Sequence, residues 1–276
     1  MTSRASSSRA LLFVGGIIVS FTGCLVHIAD LAPAASDGGP DAGVSEVAPP
    51  ERDVASPAYR DAVIADAPIA DWRFGETSGA VALDESGHGN HAAYSGNCVF
   101  GAPGAIAADP NSAVGFDGTV AGVSALGSGF DFGGRKPFSI EGWVKPLRIE
   151  PTVRYFVSRE WSSPAGRQNV GLSLLDPVGL TFERHVDDVS TSVSSSAPKL
   201  GAFTHVVATY DGDELVLYRD GIAAGRAPDA REARAADVIL FLGGKDFEGV
   251  LDEVAVYDKA LSADRVKAHH DLGVGR

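Results

Sequence analysis

The chain has 276 residues and a formal net charge of −13 at pH 7. This length allows one or two domains with a packed core. The negative charge argues against nucleic acid or an anionic membrane surface as a partner, because both are polyanions that would repel the protein. The same charge is compatible with divalent cations, which bind carboxylate oxygens.

The first 23 residues have the features of an export signal. Arg4 and Arg9 precede the apolar run LLFVGGII, which is too short to span a bilayer. The next residues, FTGC, resemble a bacterial lipobox, in which the cysteine, here Cys24, is acylated as the signal is cut. Phe21 departs from the leucine-type residue usual there, and an ordinary secretory signal is the alternative. Removal of residues 1–23 takes away two Arg and no acidic residue, so the charge becomes −15.

We therefore predict an exported protein of the bacterial cell envelope, anchored to the outer membrane through Cys24. The only other cysteine is Cys98. Acylation of Cys24 would leave no internal disulfide, and Cys98 is then interpreted as a small buried apolar residue. Residues 24–58 are rich in Ala, Pro, Gly and Asp without an apolar period, which predicts a disordered tether.

Residues 59–276 have the pattern of a single all-β domain. The chain contains 33 Gly and 15 Pro, and short apolar runs are separated by these residues or by Asp-Gly pairs. In IADWRFGE, alternation places Ala70, Trp72 and Phe74 on one side of a first strand. Residues 84–94, DESGHGNHAAY, are predicted to be a tight loop. Further strands are predicted in SAVGFDGT, FSIEGWVKP, YFVSRE, VGLSLL, GLTFER, HVVATYDGDELVLYRDG and ADVILFLGG.

Local signals also predict one hairpin and one short helix near the carboxyl end. The strands in HVVATYDGDELVLYRDG are joined at Asp211–Asp213, and the second turns at Asp220. The helix is predicted after Ser262, its N-cap, and ends at Gly273.

Residues 247–257, FEGVLDEVAVY, are predicted to form a strand inside a sandwich, because both of its faces are apolar. Strict alternation places Asp252 on the face of Val254, and Glu253 on the opposite face with Ala255. Carboxylates rarely lie in such surroundings without a partner. The partner of these two residues is the main functional question that the sequence raises.

Six segments in order, WRFGE, DESGHGN, FDG, FSIEGWVKP, FTHVVATYDGDELVLYRDG and GVLDEVAVYDKALS, resemble the laminin-G-like domains of the concanavalin A-like lectin/glucanase superfamily. The resemblance covers about residues 60–272. It implies an antiparallel jelly-roll β-sandwich of two sheets with adjacent terminal strands. It does not imply an activity, because such folds serve as binders, spacers and enzymes.

The resemblance also implies a structural Ca²⁺ between the loop DESGHGN and the strand LDEV. Carried over residue by residue, its ligands would be Asp84, Asn90 and Asp252, which supply the oxygen donors that calcium prefers. The alternative is that Asp84 and Asn90 cap turns and Asp252 accepts backbone N–H bonds. Asp117 and Asp211, both in Asp-Gly pairs, are interpreted as turn formers.

Catalytic motifs are missing from the sequence. Glucanases of this superfamily carry E-x-D-x-E or E-x-D-x-x-E on one strand, where carboxylates two apart share a face. No such triplet occurs, Glu141 has no acidic residue within four positions, and Asp252 and Glu253 are out of phase. HExxH and G-x-S-x-G motifs are also absent. We therefore expect no enzymatic activity, with a divergent glycoside hydrolase as a remote alternative.

The remaining hypothesis is binding of a glycan or an extracellular protein. Trp72 and Trp143 lie in apolar strand patterns and are interpreted as core residues. Trp161 lies in SREWSSPAGRQN, interpreted as a polar loop, with Arg159 and Arg167 close by, so these three residues are the predicted ligand-binding set. A second loop, FERHVDDVSTSVSSS, would line the same rim. We favour a carbohydrate ligand, with a structural or protein-interaction domain as the alternative.

Overall fold

The computed structural model describes the backbone of residues 57–119, 121–163, 166–235, 239–244 and 246–276. Side chains are described for the same residues except 57, 128, 160–163 and 166–169. The predicted signal peptide, Cys24 and the predicted tether up to residue 56 lie outside the described residues.

Sixteen strands and two α-helices are found in the described residues. The helices are α1 (Pro57–Ala65) and α2 (Ala263–Gly273). The strands in chain order are β1 (Ala70–Trp72), β2 (Val81–Ala82), β3 (Ala92–Ser95), β4 (Val99–Pro103), β5 (Ser112–Asp117), β6 (Gly122–Ala125), β7 (Phe138–Pro146), β8 (Arg154–Ser163), β9 (Gly166–Leu175), β10 (Gly179–Val186), β11 (Val189–Ser195), β12 (Thr204–Tyr210), β13 (Glu214–Arg219), β14 (Ile222–Pro228), β15 (Leu240–Gly243) and β16 (Glu248–Tyr257).

The strands form two antiparallel sheets, which confirms the predicted sandwich. Sheet A has the order β14-β13-β12-β7-β16-β5-β4, and β1 also pairs with β16. Sheet B has the order β11-β10-β9-β8-β15-β6-β3-β2. The first strand therefore lies beside the last, with Ala70 opposite Val256 and Trp72 opposite Val254, as the family resemblance implies.

The main core lies between the two sheets and is rich in aromatic rings. Trp72, Phe138 and Phe182 are completely buried, and Phe138 stacks on Phe132 with ring centres 4.4 Å apart. Burial of each such side chain contributes about 1.5–3 kcal/mol to folding. Ala70, Trp72 and Phe74 all belong to this core, so the alternation predicted for the first strand is confirmed.

Both helices lie against the outer face of sheet A. The residues that pack there include Tyr59 and Val63 of α1, Val266 of α2, and Trp143 and Tyr257 of the sheet. Ser262 caps α2 by accepting a hydrogen bond from the backbone N–H of Arg265, as predicted. None of the helices in the described part of the chain is long and apolar enough to cross a membrane.

Helix α1 was not predicted, and its first two residues fall within the stretch interpreted as tether. Pro57 begins it, a position where the missing N–H of proline costs nothing. Tyr59 and Val63, four residues apart, share its buried face. This nine-residue helix is too short to be stable alone, so packing on sheet A holds it.

The predicted alternation along β16 is wrong at its centre. The pairing of β16 with β7 shifts register between Asp252 and Ala255, and Glu253 has a φ of +49°. The extra residue of this β-bulge places Leu251 in the core together with Val254, although they are three residues apart. Burial on both faces is confirmed for the strand.

Candidate functional site

A fully buried polar cluster lies between sheet A and the helices. Its centre is Glu141 on β7, whose Oε1 lies 2.8 Å from Nε2 of His205 and whose Oε2 accepts a 2.9 Å hydrogen bond from Tyr257. Nδ1 of His269 lies 3.0 Å from both carboxylate oxygens. The hydroxyl of Tyr59 on α1 lies 3.5 Å from Oε1. The side chains of Glu141, His205 and His269 are 0% exposed, so no substrate can reach them.

Electrostatics in this cluster favour an ion pair. Burial opposes ionisation of Glu141, but His269 and His205 outweigh it and hold the pKa of the carboxyl well below its ordinary value. Burial alone lowers the pKa of His269, but the Glu141 carboxylate outweighs it and raises that pKa. Burial and Glu141 together raise the pKa of Tyr59 and Tyr257 well above the usual range. The cluster therefore contains a buried ion pair that stabilises the packing of the helices on sheet A.

Asp252 and Glu253 find their partners inside the protein. Oδ2 of Asp252 accepts a 2.7 Å hydrogen bond from the backbone N–H of Ala105. Oε1 of Glu253 lies 2.8 Å from Nη2 of Arg73, which also lies 2.6 Å from Asp109. Burial raises the pKa of both Asp252 and Glu253, while Arg73 opposes the rise at each. These contacts are structural, and they leave neither carboxylate exposed to a ligand.

The three predicted calcium ligands contact backbone groups instead. Asp84 accepts N–H bonds from Asp71 and Ser86 at 2.9 Å and from Asn90 at 2.8 Å. The side-chain amide of Asn90 donates to a backbone carbonyl at 2.6 Å, and Asp252 accepts two backbone N–H bonds. No group of three or more His, Cys, Asp or Glu among the described residues is arranged to hold a metal. N–H donors engage the carboxylates of Asp84 and Asp252, which favours the turn-capping alternative for these two residues. The predicted calcium site stays a prediction.

The segment predicted as a ligand-binding loop is largely a hairpin of β8 and β9. The loop interpretation was wrong because both strands continue through it and pair almost to its tip. Arg159 is only 3% exposed; its guanidinium lies 5.5 Å from the ring centre of Phe132 and 3.7 Å from Asp131, so it is not a surface ligand-binding residue. The side chains of Trp161 and Arg167 lie outside the described residues, so their predicted role stays a prediction.

The second predicted loop, FERHVDDVSTSVSSS, is also mostly a hairpin. It consists of β10 and β11, joined by Asp187 and Asp188, with φ of +49° and +67°. Two positive φ values are typical of a type I′ turn, so these two residues form the tight turn of the hairpin. Asp117 and Asp211 likewise accept backbone N–H bonds two residues on and form turns.

In the described residues, the outer face of sheet B is not covered by a helix. Phe182 on β10 and Leu240 on β15 belong to the core. Because neighbouring residues of a strand point to opposite faces, Glu183, His185 and Phe241 face outward. Phe241 is 42% exposed, which is high for a large aromatic side chain.

We call this surface the open face and define it by five residues: Tyr155, Ser158, Glu183, His185 and Phe241. The hydroxyl of Tyr155 donates a hydrogen bond to Oε1 of Glu183. Nε2 of His185 lies 3.2 Å from the same oxygen. Ser158 lies opposite Phe241 on the neighbouring strand. Aromatic and hydrogen-bonding groups thus share one accessible surface, the combination that small-molecule sites use.

A family model described as "Concanavalin A-like lectin/glucanases superfamily" (Laminin_G_3) matches residues 117–267, more than half of the chain. The chain belongs to this superfamily. No curated protein sequence matches it.

Solved structures share the fold of this superfamily member at low sequence identity. Domain 4 of AbnA, an extracellular arabinanase from Geobacillus stearothermophilus solved with arabinotriose, has a TM-score of 0.56 and 18% identity over 75% of this chain and 98% of that one. The binding domain of botulinum neurotoxin serotype D has a TM-score of 0.60 and 11% identity, over 76% of this chain and 52% of that one. Trypanosoma rangeli sialidase, solved in complex with sialic acid, has a TM-score of 0.56 and 15% identity, over 73% of this chain and 32% of that one. The chain thus spans about half of the neurotoxin domain and about a third of the sialidase.

Sequence reasoning missed Phe241 and the buried cluster, and it included Glu183 and His185 only as part of a second loop at the predicted ligand-binding rim. Phe241 lies in the apolar run VILFLGG, where an outward ring cannot be told from a buried one. Glu141, His205 and His269 are far apart in sequence, and only the fold brings them together. One signal was present, since Glu141 lies among apolar residues near the centre of a strand and so requires a buried partner.

Proposed function

We propose that the chain is an exported, lipid-anchored binding module of the bacterial cell envelope that holds a carbohydrate on its open face and catalyses no reaction. The observation that carries the proposal is the open face itself. It offers an exposed phenylalanine, a tyrosine, a carboxylate, an imidazole and a hydroxyl on one sheet surface. On sheet A the two helices pack on the outer face, so the part of the sheet that they cover is not accessible to a ligand.

The comparisons support a carbohydrate as ligand. Domain 4 of the arabinanase was solved in complex with arabinotriose, and the match covers 98% of that domain. The neurotoxin match is to a binding domain. At these sequence identities the similarity shows a shared fold alone, so the ligand class is our proposal.

The positions of the carboxylates support a non-catalytic role. Hydrolysis of a glycosidic bond requires two carboxyl groups about 5–9 Å apart on either side of the substrate. Glu141, Asp252 and Glu253 are each at most 2% exposed and engaged with protein groups. They therefore cannot flank a sugar.

Export and anchoring rest on the amino-terminal sequence. The basic residues, the short apolar run and Cys24 in FTGC are the features of a lipoprotein signal. A tether would then hold the domain away from the membrane, leaving the open face accessible to glycans.

A protein partner is the second candidate, because apolar side chains adjoin the open face. Leu83, Leu126 and Ile239 are 52%, 72% and 37% exposed. They follow or precede Ala82, Ala125 and Leu240, which point into the core, so alternation places them on the outer side with Phe241. Exposed apolar patches of this kind often contact proteins.

A glycan array with the chain from residue 24, carrying Cys24→Ser to keep it in solution, tests the proposal. We expect binding to at least one oligosaccharide, and a loss of about tenfold or more in Phe241→Ala, because an aromatic platform supplies much of such affinity. Ile222→Ala, an exposed apolar residue on sheet A, is the matched control and should bind normally. Binding of no glycan, or equal binding by Phe241→Ala, would contradict the proposal. Trp161→Ala in the same array tests the role predicted for Trp161.

A separate variant distinguishes the protein-binding candidate. Leu126→Glu places a charge in the apolar group beside the open face. If the partner is a glycan held by Phe241 and Glu183, its affinity should change little. If the module binds a protein, neither the parent chain nor any variant should bind a glycan. Leu126→Glu should then no longer capture the protein partner that the parent chain captures.

A further inference from the structure

We infer that one end of the sandwich is a self-association surface, on which a second copy of this chain packs. Three loops form this end: residues 147–153 between β7 and β8, residues 176–178 between β9 and β10, and residues 196–203 between β11 and β12. These loops expose four large aliphatic side chains, Leu147, Val153, Val178 and Leu200, each between 43% and 52% exposed. We call this surface the apolar end. The inference does not depend on the ligand of the open face.

The three loops are joined to one another through their backbones. The N–H of Gly201 donates a 2.8 Å hydrogen bond to the carbonyl of Pro146, where the first loop begins. The N–H of Asp176 donates a 2.9 Å hydrogen bond to the carbonyl of Glu150. Gly179, directly after the second loop, approaches the third so closely that a Cβ atom there would stand 2.5 Å from the backbone nitrogen of Ala197. The loops therefore form one continuous surface.

The loops are also held in place before any partner binds. Ile149 of the first loop packs against the main core, and Phe203 of the third packs against the residues beneath the helices. Each loop contains a proline, namely Pro151, Pro177 or Pro198, and proline fixes its own φ angle. Little backbone freedom remains to be lost on association, which lowers the cost of binding.

Exposed apolar side chains are concentrated at this end. Of the 12 large apolar side chains that are exposed in the described part of the chain, four belong to these three short loops. Single exposed apolar residues are normal on a protein surface, whereas a group of them on one surface marks an interaction site. The apolar end therefore has the composition of an interface.

Charge favours a second copy as the occupant. The three loops contain two basic residues, Arg148 and Lys199, and two acidic ones, Glu150 and Asp176, so their net charge is zero. The whole chain has a net charge of −13, all of which is carried outside these loops. Two copies that meet through other surfaces bring like charges together, and this repulsion is smallest at the apolar end.

The apolar end is also complementary to itself, as a two-fold symmetric interface requires. Nε of Arg148 lies 3.0 Å from Glu150 and 3.2 Å from Glu248, so positive and negative groups alternate beside the aliphatic side chains. A surface that carries both signs in equal number can pair with an identical surface. An anionic lipid surface gains no attraction from a neutral patch and is repelled by the rest of the chain.

Sedimentation velocity of the Cys24→Ser chain from residue 24, under reducing conditions that keep Cys98 free, tests the inference. We expect a reversible monomer–dimer equilibrium between about 1 and 300 μM, because small interfaces are weak. Leu147→Glu and Leu200→Glu should each weaken it about tenfold or more, because they place a like charge at the centre of both copies. Ile222→Glu, at a residue that is 70% exposed on sheet A, is the matched control and should associate as the parent does.

Charge reversal tests whether the partner is a second copy. Lys199→Glu changes the net charge of the three loops from zero to −2, and Asp176→Lys changes it to +2. Each variant alone should associate about tenfold more weakly or worse, because both copies then carry the same charge. A mixture of the two variants should associate at least as well as the parent. Asp61→Lys, exposed on α1, changes the charge of the chain by the same amount as Asp176→Lys and should have no effect.

The remaining outcomes overturn the inference. A chain that stays monomeric at every concentration, or association that Leu147→Glu and Leu200→Glu leave unchanged, shows that the apolar end does not bind a second copy. Flotation of a monomeric chain with phosphatidylethanolamine–phosphatidylglycerol vesicles, strengthened by Asp176→Lys and weakened by Lys199→Glu, would assign this end to a lipid surface instead. Melting temperatures equal to that of the parent exclude misfolding of the variants. None of these outcomes bears on glycan binding by the open face.

Discussion

His269 on α2 lies 3.0 Å from each carboxylate oxygen of Glu141 on β7, and neither side chain is exposed. The other ring nitrogen of His269, Nε2, lies 3.0 Å from Asp66, directly after α1. Arg265 of α2 also lies 2.7 Å from Asp66. One imidazole therefore connects both helices to sheet A, and its charge contributes to holding them there.

The stability of the protein should depend on pH in a direction that these contacts determine. The pKa of His269 is raised in the folded state, so its contribution is fully present below about pH 6.5 and is lost as the pH rises through the raised value. The pKa of Glu141 is lowered, so its contribution is present above about pH 4.5 and is lost as the pH falls further. The pKa of Glu253 is raised to about 7, so its contribution is present below about pH 4.5 and is lost as the pH rises from there to about 7. We therefore expect stability to be highest near about pH 4.5 and to decline as the pH rises, most steeply where the loss at His269 adds to that at Glu253, measured by urea unfolding.

Two variants identify the source of the alkaline decline. His269→Gln should reduce the loss of stability between pH 6.5 and 8.5, whereas His88→Gln, at an exposed histidine, should leave the profile unchanged. A parent profile that is flat or rises over this range would contradict the assignment.

Removal of the central carboxylate should be costly. In Glu141→Ala, His269 and His205 lose their buried acceptor, and breaking a buried ion pair costs about 3–5 kcal/mol. Glu214→Ala removes a carboxylate whose side chain is 32% exposed and pairs with Arg226 at the surface, and should cost less than about 1 kcal/mol. Equal losses in the two variants would show that the buried cluster is not a main anchor of the helices.

The ion pair of Arg73 offers a second test of the same principle at a different site. Arg73→Met leaves Glu253 and Asp109 without their shared cation and should cost about 3–5 kcal/mol in the free energy of unfolding. Arg60→Met breaks a pair with Glu85 whose side chains are 43% and 35% exposed, so it should cost about 0–1 kcal/mol. Denaturant titration of both variants measures the contrast, and a small loss in Arg73→Met would contradict it.

Local sequence signals predicted the architecture well but failed where long-range contacts decide. Asp-Gly pairs and the Ser262 cap determine the conformation of the backbone next to them, and the turns and the helix start predicted from them were confirmed. The bulge at Glu253 was invisible because β16 is apolar on both faces, so a one-residue shift leaves the hydrophobic pattern unchanged. Helix α1 was missed because its stability comes from sheet A rather than from its own propensity.

The candidate site shows the same division. Trp72 and Trp143 were correctly interpreted as core residues from their strand patterns. Arg159 was assigned to an exposed loop because Gly and Pro follow it, yet the strand continues past it and turns its side chain inward. Pairing with β9 overrides that local turn signal, and pairing cannot be read from one segment.

Chelation tests the calcium prediction directly. Because Asp84 already accepts three backbone N–H bonds, we expect EDTA to leave the melting temperature unchanged. Asp84→Ala should lower the free energy of unfolding by about 3 kcal/mol with or without EDTA, about 1 kcal/mol for each lost bond. A fall in melting temperature with EDTA that Asp252→Ala abolishes would instead establish a calcium ion between the loop and the strand.

The lipid anchor predicts how the protein partitions between detergent and water. If the thiol of Cys24 is acylated, the full-length protein expressed in a bacterium should enter the detergent phase of Triton X-114, because each buried methylene of an acyl chain contributes about 0.8 kcal/mol. Cys24→Ser should move it to the aqueous phase, while Cys98→Ser, which removes the only other thiol, should not. Recovery of Cys24→Ser in the detergent phase would contradict the anchor, and cleavage without a shift in the parent protein would favour an ordinary secretory signal.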